Sequence, residues 1–124
     1  MKVLVVDDFA TMRKIVKNVL KQINIENVVE AENGKHALSV LKSENVDLII
    51  SDWMMPEMTG IEFLKVCKED DEKKKIPFIM VTAEGQKDSV MEAIKSGVDN
   101  YIVKPFTPDK LKDAIDRARA RAGK

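Results

Sequence analysis

The chain has 124 residues, 44% of them hydrophobic and 34% charged, with 21 Lys plus Arg balancing 21 Asp plus Glu. That length supplies one core, burying about two-thirds of the unfolded surface, so residues 1–124 are expected to form a single domain. Zero net charge gives no pull toward nucleic acid or an anionic membrane, no apolar stretch approaches the roughly 18 residues of a membrane span, and a single cysteine, Cys67, excludes an internal disulfide.

From Met1 the chain runs straight into an apolar run, KVLVV, which predicts a strand at 2–6 and leaves no room for a signal peptide. With the lone cysteine, this points to a reducing, cytoplasmic setting. Asp7-Asp8 follow, and then a helix at 11–23 whose apolar stripe is Met12, Ile15, Val16, Val19, Leu20 and Ile23. A strand at 28–31 ends before Asn33-Gly34, a turn signal that opens a helix at 35–42. The run DLIIS predicts a strand at 47–51, closed by Asp52 and followed by a helix at 61–68. EDDEKKK at 69–75 reads as a solvated loop whose charges cancel. A strand at 77–81 leads into Thr82, a helix at 88–96 stops at Gly97, and a strand at 100–103 leads into Lys104. Pro105 and Pro108 bracket the turn into a last helix at 109–121. Its RARAR end reads as cations complementing the helix dipole, not as a nucleic-acid contact.

Five strands alternating with five helices predict an α/β fold, a doubly wound five-stranded parallel sheet covered on both faces. The first, third and fourth strands are near-continuous apolar runs, as burial on both sides requires. Right-handed crossovers favour the flavodoxin-like (βα)5 order 2-1-3-4-5, in which the first and third strands meet at the topological switch point. Ligands bind just outside the carboxyl ends of strands there, which is where Asp7, Asp8 and Asp52 fall.

Neighbouring strands lie about 4.8 Å apart, so Asp8 and Asp52 are expected within a few ångström of each other. Carboxylates that close raise one another's proton affinity unless a cation intervenes. Mg²⁺ suits hard oxygen ligands of this number, with Mn²⁺ as a substitute. Zinc would want His or Cys, and His36 and Cys67 are in the wrong places. An Asp nucleophile accepts a phosphoryl group as an acyl phosphate, with Mg²⁺ and the Lys104 ammonium neutralising phosphoryl oxygens and the Thr82 hydroxyl donating to another. Asp52 stands in the middle and is the acceptor; Asp7 and Asp8 are better placed as ligands. Singly, these residues read as a helix cap, an ion-pair partner and a β-branched strand residue. Their joint placement at carboxyl ends of one sheet is what carries the chemistry.

The segments VVDDFATMRKIVKNVL, VVEAENGKHAL, ISDWMMPEMTGIEFLK, IMVTAEG and GVDNYIVKPFTPDKL span nearly the whole chain. Through them it resembles the receiver domain of two-component response regulators, and within that family the stand-alone chemotaxis regulators. The resemblance implies that Asp52 receives its phosphoryl group from a phosphohistidine on a sensor histidine kinase. It implies that Asp7, Asp8, Asp52 and the backbone carbonyl of Met54 hold Mg²⁺. Thr82, Lys104 and the Ala83 amide would bind phosphoryl oxygens, Lys104-Pro105 would be a cis peptide, and self-dephosphorylation would let the mark decay. Tyr101 matches the family's aromatic switch: Thr82 moves toward the phosphate, Tyr101 turns into the vacated space, and the face of the fourth helix, fifth strand and fifth helix changes. Thr82 and Tyr101 are expected to end adjacent strands.

Two positions depart from many chemotaxis members. Met54 stands where Asn is common, and Glu84 lies two residues after Thr82. In the family both positions flank the path of attacking water, so they tune phosphate lifetime and sensitivity to a phosphatase. Lys87, Val90 and Tyr101 suit a partner surface, for which the resemblance implies the flagellar motor switch and flagellar rotation as output. The molecule is expected to be a monomeric signalling protein, not an enzyme with a separate substrate. His36 is expected to face solvent, Cys67 to be a small buried hydrophobe, Met55 and Met58 to pack the loop, and Trp53 to line the site.

Rival readings fare worse. Mg²⁺-dependent phosphohydrolases with an Asp nucleophile place a second Asp two residues on after the first strand, which DDFAT lacks. A nucleotide binder needs a phosphate-cradling loop, and no G-x-x-x-x-G-K-[ST] is present. Inside the family, the alternative is a single-domain receiver serving a phosphorelay or a non-motile output.

Overall fold

The computed structural model describes residues 1–83 and 87–124. Five strands, β1 (Val3–Val6), β2 (Val28–Ala31), β3 (Leu48–Asp52), β4 (Phe78–Ala83) and β5 (Asn100–Lys104), alternate with five helices. These are α1 (Ala10–Gln22), α2 (Gly34–Ser43), α3 (Gly60–Glu69), α4 (Lys87–Lys95) and α5 (Pro108–Arg121). All four strand pairings are parallel, in the order β2-β1-β3-β4-β5. The predicted doubly wound, flavodoxin-like sheet is therefore the architecture of the chain.

Alternation along each strand divides the core in two. Leu4, Val6, Ile49, Phe78 and Met80 face one side with Phe63, Leu64 and Cys67 of α3. Val3, Val5, Ile50, Ile79, Val81 and Ile102 face the other with Val16 and Leu20 of α1 and Leu111, Ile115 and Ala118 of α5. β1, β3 and most of β4 are buried along their length, whereas β2 and β5, the sheet edges, are only partly covered. Among the described residues no helix is long and apolar enough to cross a membrane.

Helix starts fix where the loops at the carboxyl ends of the strands lie. Asn33 Oδ1 accepts from His36 N–H at 2.8 Å to cap α2. Thr59 and Glu62 form a reciprocal capping box on α3. Thr107 caps α5, with Pro108 in its first turn.

The structure corrects three local expectations. Ile15 is 46% exposed, because it lies at the rim of the α1 stripe while Val16 and Leu20 take its centre. The segment 69–75 is not simply loop: Asp70 Oδ1 accepts from the N–H groups of Glu72 and Lys73, both at 2.9 Å, and nucleates a 3-10 turn at Lys73–Lys75. β4 and β5 extend past Val81 and Val103, since the ladder continues to the Ala83↔Lys104 rung.

Candidate site at the carboxyl ends of the strands

Asp7 is the first residue beyond β1 and is only 4% exposed. Its N–H donates to Ala31 O at 3.1 Å, and its Oδ1 accepts from Phe9 N–H at 2.9 Å, turning the chain toward α1. Asp52 ends β3, paired with Val81 of β4, and is 8% exposed. β4 carries Thr82 on the next rung, fully buried opposite Val103, and Lys104 ends β5. The Lys104 Nζ lies 3.1 Å from Asp52 Oδ1. One carboxylate oxygen from each of Asp7, Asp8 and Asp52 lies within 4.8 Å of the others. Four strand ends thus bring together the acids, hydroxyl and ammonium expected from the sequence.

Two polar atoms in this hollow are buried without a hydrogen-bond partner among the described residues: Asp8 Oδ1 and Thr82 Oγ1. An unsatisfied buried oxygen costs about 1–3 kcal/mol, so each marks a place where a ligand has something to contribute. At Asp8 Oδ1 the all-oxygen donor set of Asp7, Asp8 and Asp52 is compatible with a divalent cation such as Mg²⁺ or Mn²⁺. The Thr82 hydroxyl, with no acceptor among the described residues, is able to donate to an anionic oxygen.

Electrostatics point the same way. The Asp7 carboxyl is pushed up from 3.8 to about 6, chiefly by burial, with the charges of Asp52 and Asp8 adding to it and the Phe9 N–H and Lys104 opposing it. Burial also raises Asp52, against the hydrogen bond and charge of Lys104. Mutual repulsion, the cause expected from the sequence, does raise Asp7, but it is secondary to desolvation. Asp7 and Asp52 are held in an environment that disfavours their charge, and a bound cation would relieve it.

The remaining candidates separate. The Met54 side chain is exposed in the loop after β3, while Met55 is buried and Met58 packs beside it in one core layer with Trp53. Trp53 is half-buried, and its N–H donates to Val81 O at 3.1 Å. Ala83 closes β4. Val90 is half-buried on α4, which Lys87 opens. Glu84 lies outside the described residues, as does the side chain of Lys87. Tyr101 is the second residue of β5, opposite Met80, and so does not end its strand as expected; it lies two rungs from the Thr82↔Val103 pair, on the same face. The Lys104–Pro105 peptide is cis. His36 is exposed, with Nδ1 accepting from Glu32 N–H at 3.2 Å. Burial pushes the Cys67 thiol up to about 12, which leaves it inert.

Sequence reasoning passed over two residues. Gly60 N–H donates to Trp53 O at 2.9 Å, and a Cβ on Gly60 would run into the carbonyl oxygen of Asp52. Its signal was the Thr-Gly pair at a helix start. Arg13 donates from Nη1 to the Asp7 carbonyl at 2.7 Å, and nothing in the spacing of α1 announces that.

Comparison with known proteins agrees with this fold. Residues 3–116 match the family model for the response regulator receiver domain. A chemotaxis protein CheY homolog of Campylobacter jejuni is 50% identical over 117 residues, covering 94% of this chain and 90% of the relative. Chemotaxis protein CheY of Pseudomonas aeruginosa is 47% identical over 117 residues and 94% of both chains. The solved structure of chemotaxis response regulator CheY4 of Vibrio cholerae superposes with a TM-score of 0.83 at 36% identity, covering 94% of this chain and 97% of that one. The chain belongs to the response regulator receiver domain family, and its sequence is CheY-like over almost its whole length.

Proposed function

We propose that this chain is a phosphorylation-activated signalling switch, in which Asp52 accepts a phosphoryl group from the phosphohistidine of a sensor histidine kinase. The face formed by α4, β5 and α5 then binds a partner, for which the CheY-like sequence favours the flagellar motor switch of a chemotaxis system. The observation that carries the reading is the pairing of Asp52 with Lys104 at 3.1 Å beside two orphaned oxygens, Asp8 Oδ1 and Thr82 Oγ1. A cation hollow and an anion donor flank one nucleophilic carboxylate.

In the transfer, an Asp52 carboxylate oxygen attacks phosphorus. The bond from phosphorus to the donor nitrogen breaks with its electron pair leaving on the imidazole, and Asp52 becomes an acyl phosphate. Asp7, Asp8, Asp52 and the Met54 carbonyl would hold Mg²⁺, which supplies neutralisation of phosphoryl charge. Lys104 shifts from the carboxylate to a phosphoryl oxygen, and the Thr82 hydroxyl and Ala83 amide donate to others. Movement of Thr82 frees space on the face it shares with Tyr101, coupling the mark to the output surface. Water attacking phosphorus reverses the mark, with Met54 and Glu84 at its approach.

The test is incubation with acetyl phosphate and Mg²⁺ followed by intact-mass and peptide analysis. A single phosphoryl adduct on Asp52, lost in Asp52→Asn and on chelation of Mg²⁺, is expected. Equal labelling of Asp52→Asn sinks the reading.

A further inference from the structure

Arg13 stands outside the acidic constellation and grips it from behind. Its Nη1 donates to the main-chain oxygen of Asp7 at 2.7 Å, and its Nε donates to Glu30 Oε1 at 3.0 Å. The other Glu30 oxygen takes Lys17 Nζ at 3.1 Å, so the carboxylate that holds Arg13 is itself held. The Arg13 side chain is 17% exposed, while its partner Glu30 is 37% exposed at the sheet edge. Glu30 belongs to β2, opposite Val5 of β1, and the next rung of the same pairing ends at Val6 and Ala31, whose oxygen accepts from Asp7 N–H. Asp7 is thus tied at both its N–H and its carbonyl to the far edge of the sheet, through Ala31 directly and through Arg13 and Glu30.

We infer that Arg13, braced by Glu30, is a positioning residue for the divalent-cation site: it fixes the Asp7 peptide and thereby the angle at which Asp7 and Asp8 face Asp52. The need for such a brace is physical. One oxygen from each of three carboxylates lies within 4.8 Å of the others, so their like charges repel and work against this arrangement unless a cation offsets them. A site that has to be reassembled at each binding event loses affinity to that reorganisation. A guanidinium suits the task because its planar fork donates in two fixed directions at once, to a carbonyl and to a carboxylate. An ammonium in the same place has no such geometry. Neither oxygen of the Asp7 carboxylate is used, so the brace leaves the ligand atoms free.

This inference rests on the Mg²⁺ reading of the site, and its test separates the two. Mg²⁺ is titrated into the full chain and into Arg13→Lys, Arg13→Met and Glu30→Gln, followed by calorimetry and Trp53 fluorescence, with melting of each protein in chelator. Wild type is expected to bind, and Arg13→Met to bind about tenfold more weakly, as loss of an outer-shell partner does at metal sites. Arg13→Lys and Glu30→Gln should fall between them. At saturating Mg²⁺ the rate of labelling by acetyl phosphate should return to the wild-type value, so the loss lies in the Mg²⁺ requirement and not in the transfer. A merely structural role would lower the melting temperature in chelator and leave Mg²⁺ affinity unchanged, and that result overturns the inference. Should Arg13→Met fail to fold, Glu30→Gln, which keeps the Arg13 side chain, decides by the same criterion. Absence of Mg²⁺ binding by wild type would instead remove the cation reading itself, and this inference with it.

Discussion

Lys104 reaches across the full width of β4 to place its Nζ 3.1 Å from Oδ1 of Asp52, two strands away. The pair is partly buried, and the Lys104 hydrogen bond and charge hold the Asp52 carboxyl down against the upward push of burial. Lys104 therefore does two jobs that pull apart on mutation. It favours the ionised form of Asp52 and would stabilise charge arriving on phosphoryl oxygens, but it would also compete with a cation for Asp52. Lys104→Met is expected to slow labelling by acetyl phosphate about tenfold to a hundredfold, the scale for losing one charge-stabilising donor. Mg²⁺ binding should tighten in the same variant, because the hollow loses a positive charge. Stopped labelling assays and calorimetry on one protein preparation check both directions.

Asp7 carries the cost of the site. Its carboxyl, at about 6 in the fold against 3.8 as the ordinary value, binds a proton more tightly folded than unfolded. The sign follows: the penalty is absent below about 3.8, grows as pH rises toward 6, and is complete above it. Its full size is about 3 kcal/mol from the shift alone. Asp7→Asn, which keeps the acceptor oxygen for Phe9 N–H, should therefore be more stable than wild type by about 1–3 kcal/mol near neutral pH without divalent cations. The two should converge near pH 4. Added Mg²⁺ should raise the melting temperature of wild type and do so far less for the variant. Urea unfolding at both pH values, with and without Mg²⁺, makes the measurement.

Most of the sheet and the hollow were legible because two simple regularities coincide. Buried parallel strands must be apolar throughout, so KVLVV, DLIIS and FIMV stand out, and the polar residue closing each run lands at a strand end. Ile15 escaped because a stripe read from hydrophobicity has no edge, whereas packing does; Val16 and Leu20 filled the contact with the sheet. Tyr101 was placed too far along β5 because the ladder's register with Met80 is set by pairing, which residue type does not encode. Arg13 was invisible for a related reason. Its partners are a main-chain oxygen and an edge-strand acid 17 residues away, and helical periodicity says nothing about either.

Gly60 sets how closely α3 approaches Asp52. A Cβ there would meet the Asp52 carbonyl oxygen and lie 2.9 Å from Met80 Sδ. The methionine sulfur can give way, but the backbone oxygen ends a buried strand and cannot. Gly60→Ala should cost about 1–3 kcal/mol of stability, as forced overpacking does, and weaken Mg²⁺ binding because Asp52 moves with its peptide. Gly97→Ala is the informative control. Gly97 has a φ of +90°, so alanine is strained there too, but among the described residues its Cβ would approach nothing nearer than Lys68 Cγ at 3.9 Å. It should lose stability, about 1 kcal/mol, without changing Mg²⁺ affinity. Denaturant melts paired with Mg²⁺ titrations distinguish the two variants.

Tyr101 tests whether the mark at Asp52 is read through the sheet. It is 39% exposed on an edge strand, one same-face position from Val103 and thus from the rung that holds Thr82. Met91 and Ile94 of α4 and Val103 of β5 also present exposed apolar side chains. Thr82 Oγ1 has no partner to lose among the described residues, so an arriving phosphoryl oxygen would offer it one. If that bond draws Thr82 toward Asp52, the space it leaves accepts the ring of Tyr101, and the work is done by ring volume, not by the hydroxyl. Tyr101→Ala should take up phosphate from acetyl phosphate at the wild-type rate and yet bind a motor-switch peptide equally weakly with or without the mark. Tyr101→Phe should retain most of the phosphorylation-dependent gain. Fluorescence anisotropy of a labelled peptide, measured before and after phosphorylation, reads all three proteins. A gain in Tyr101→Ala equal to that of wild type would remove the ring from the coupling and leave movement of α4 itself as the carrier.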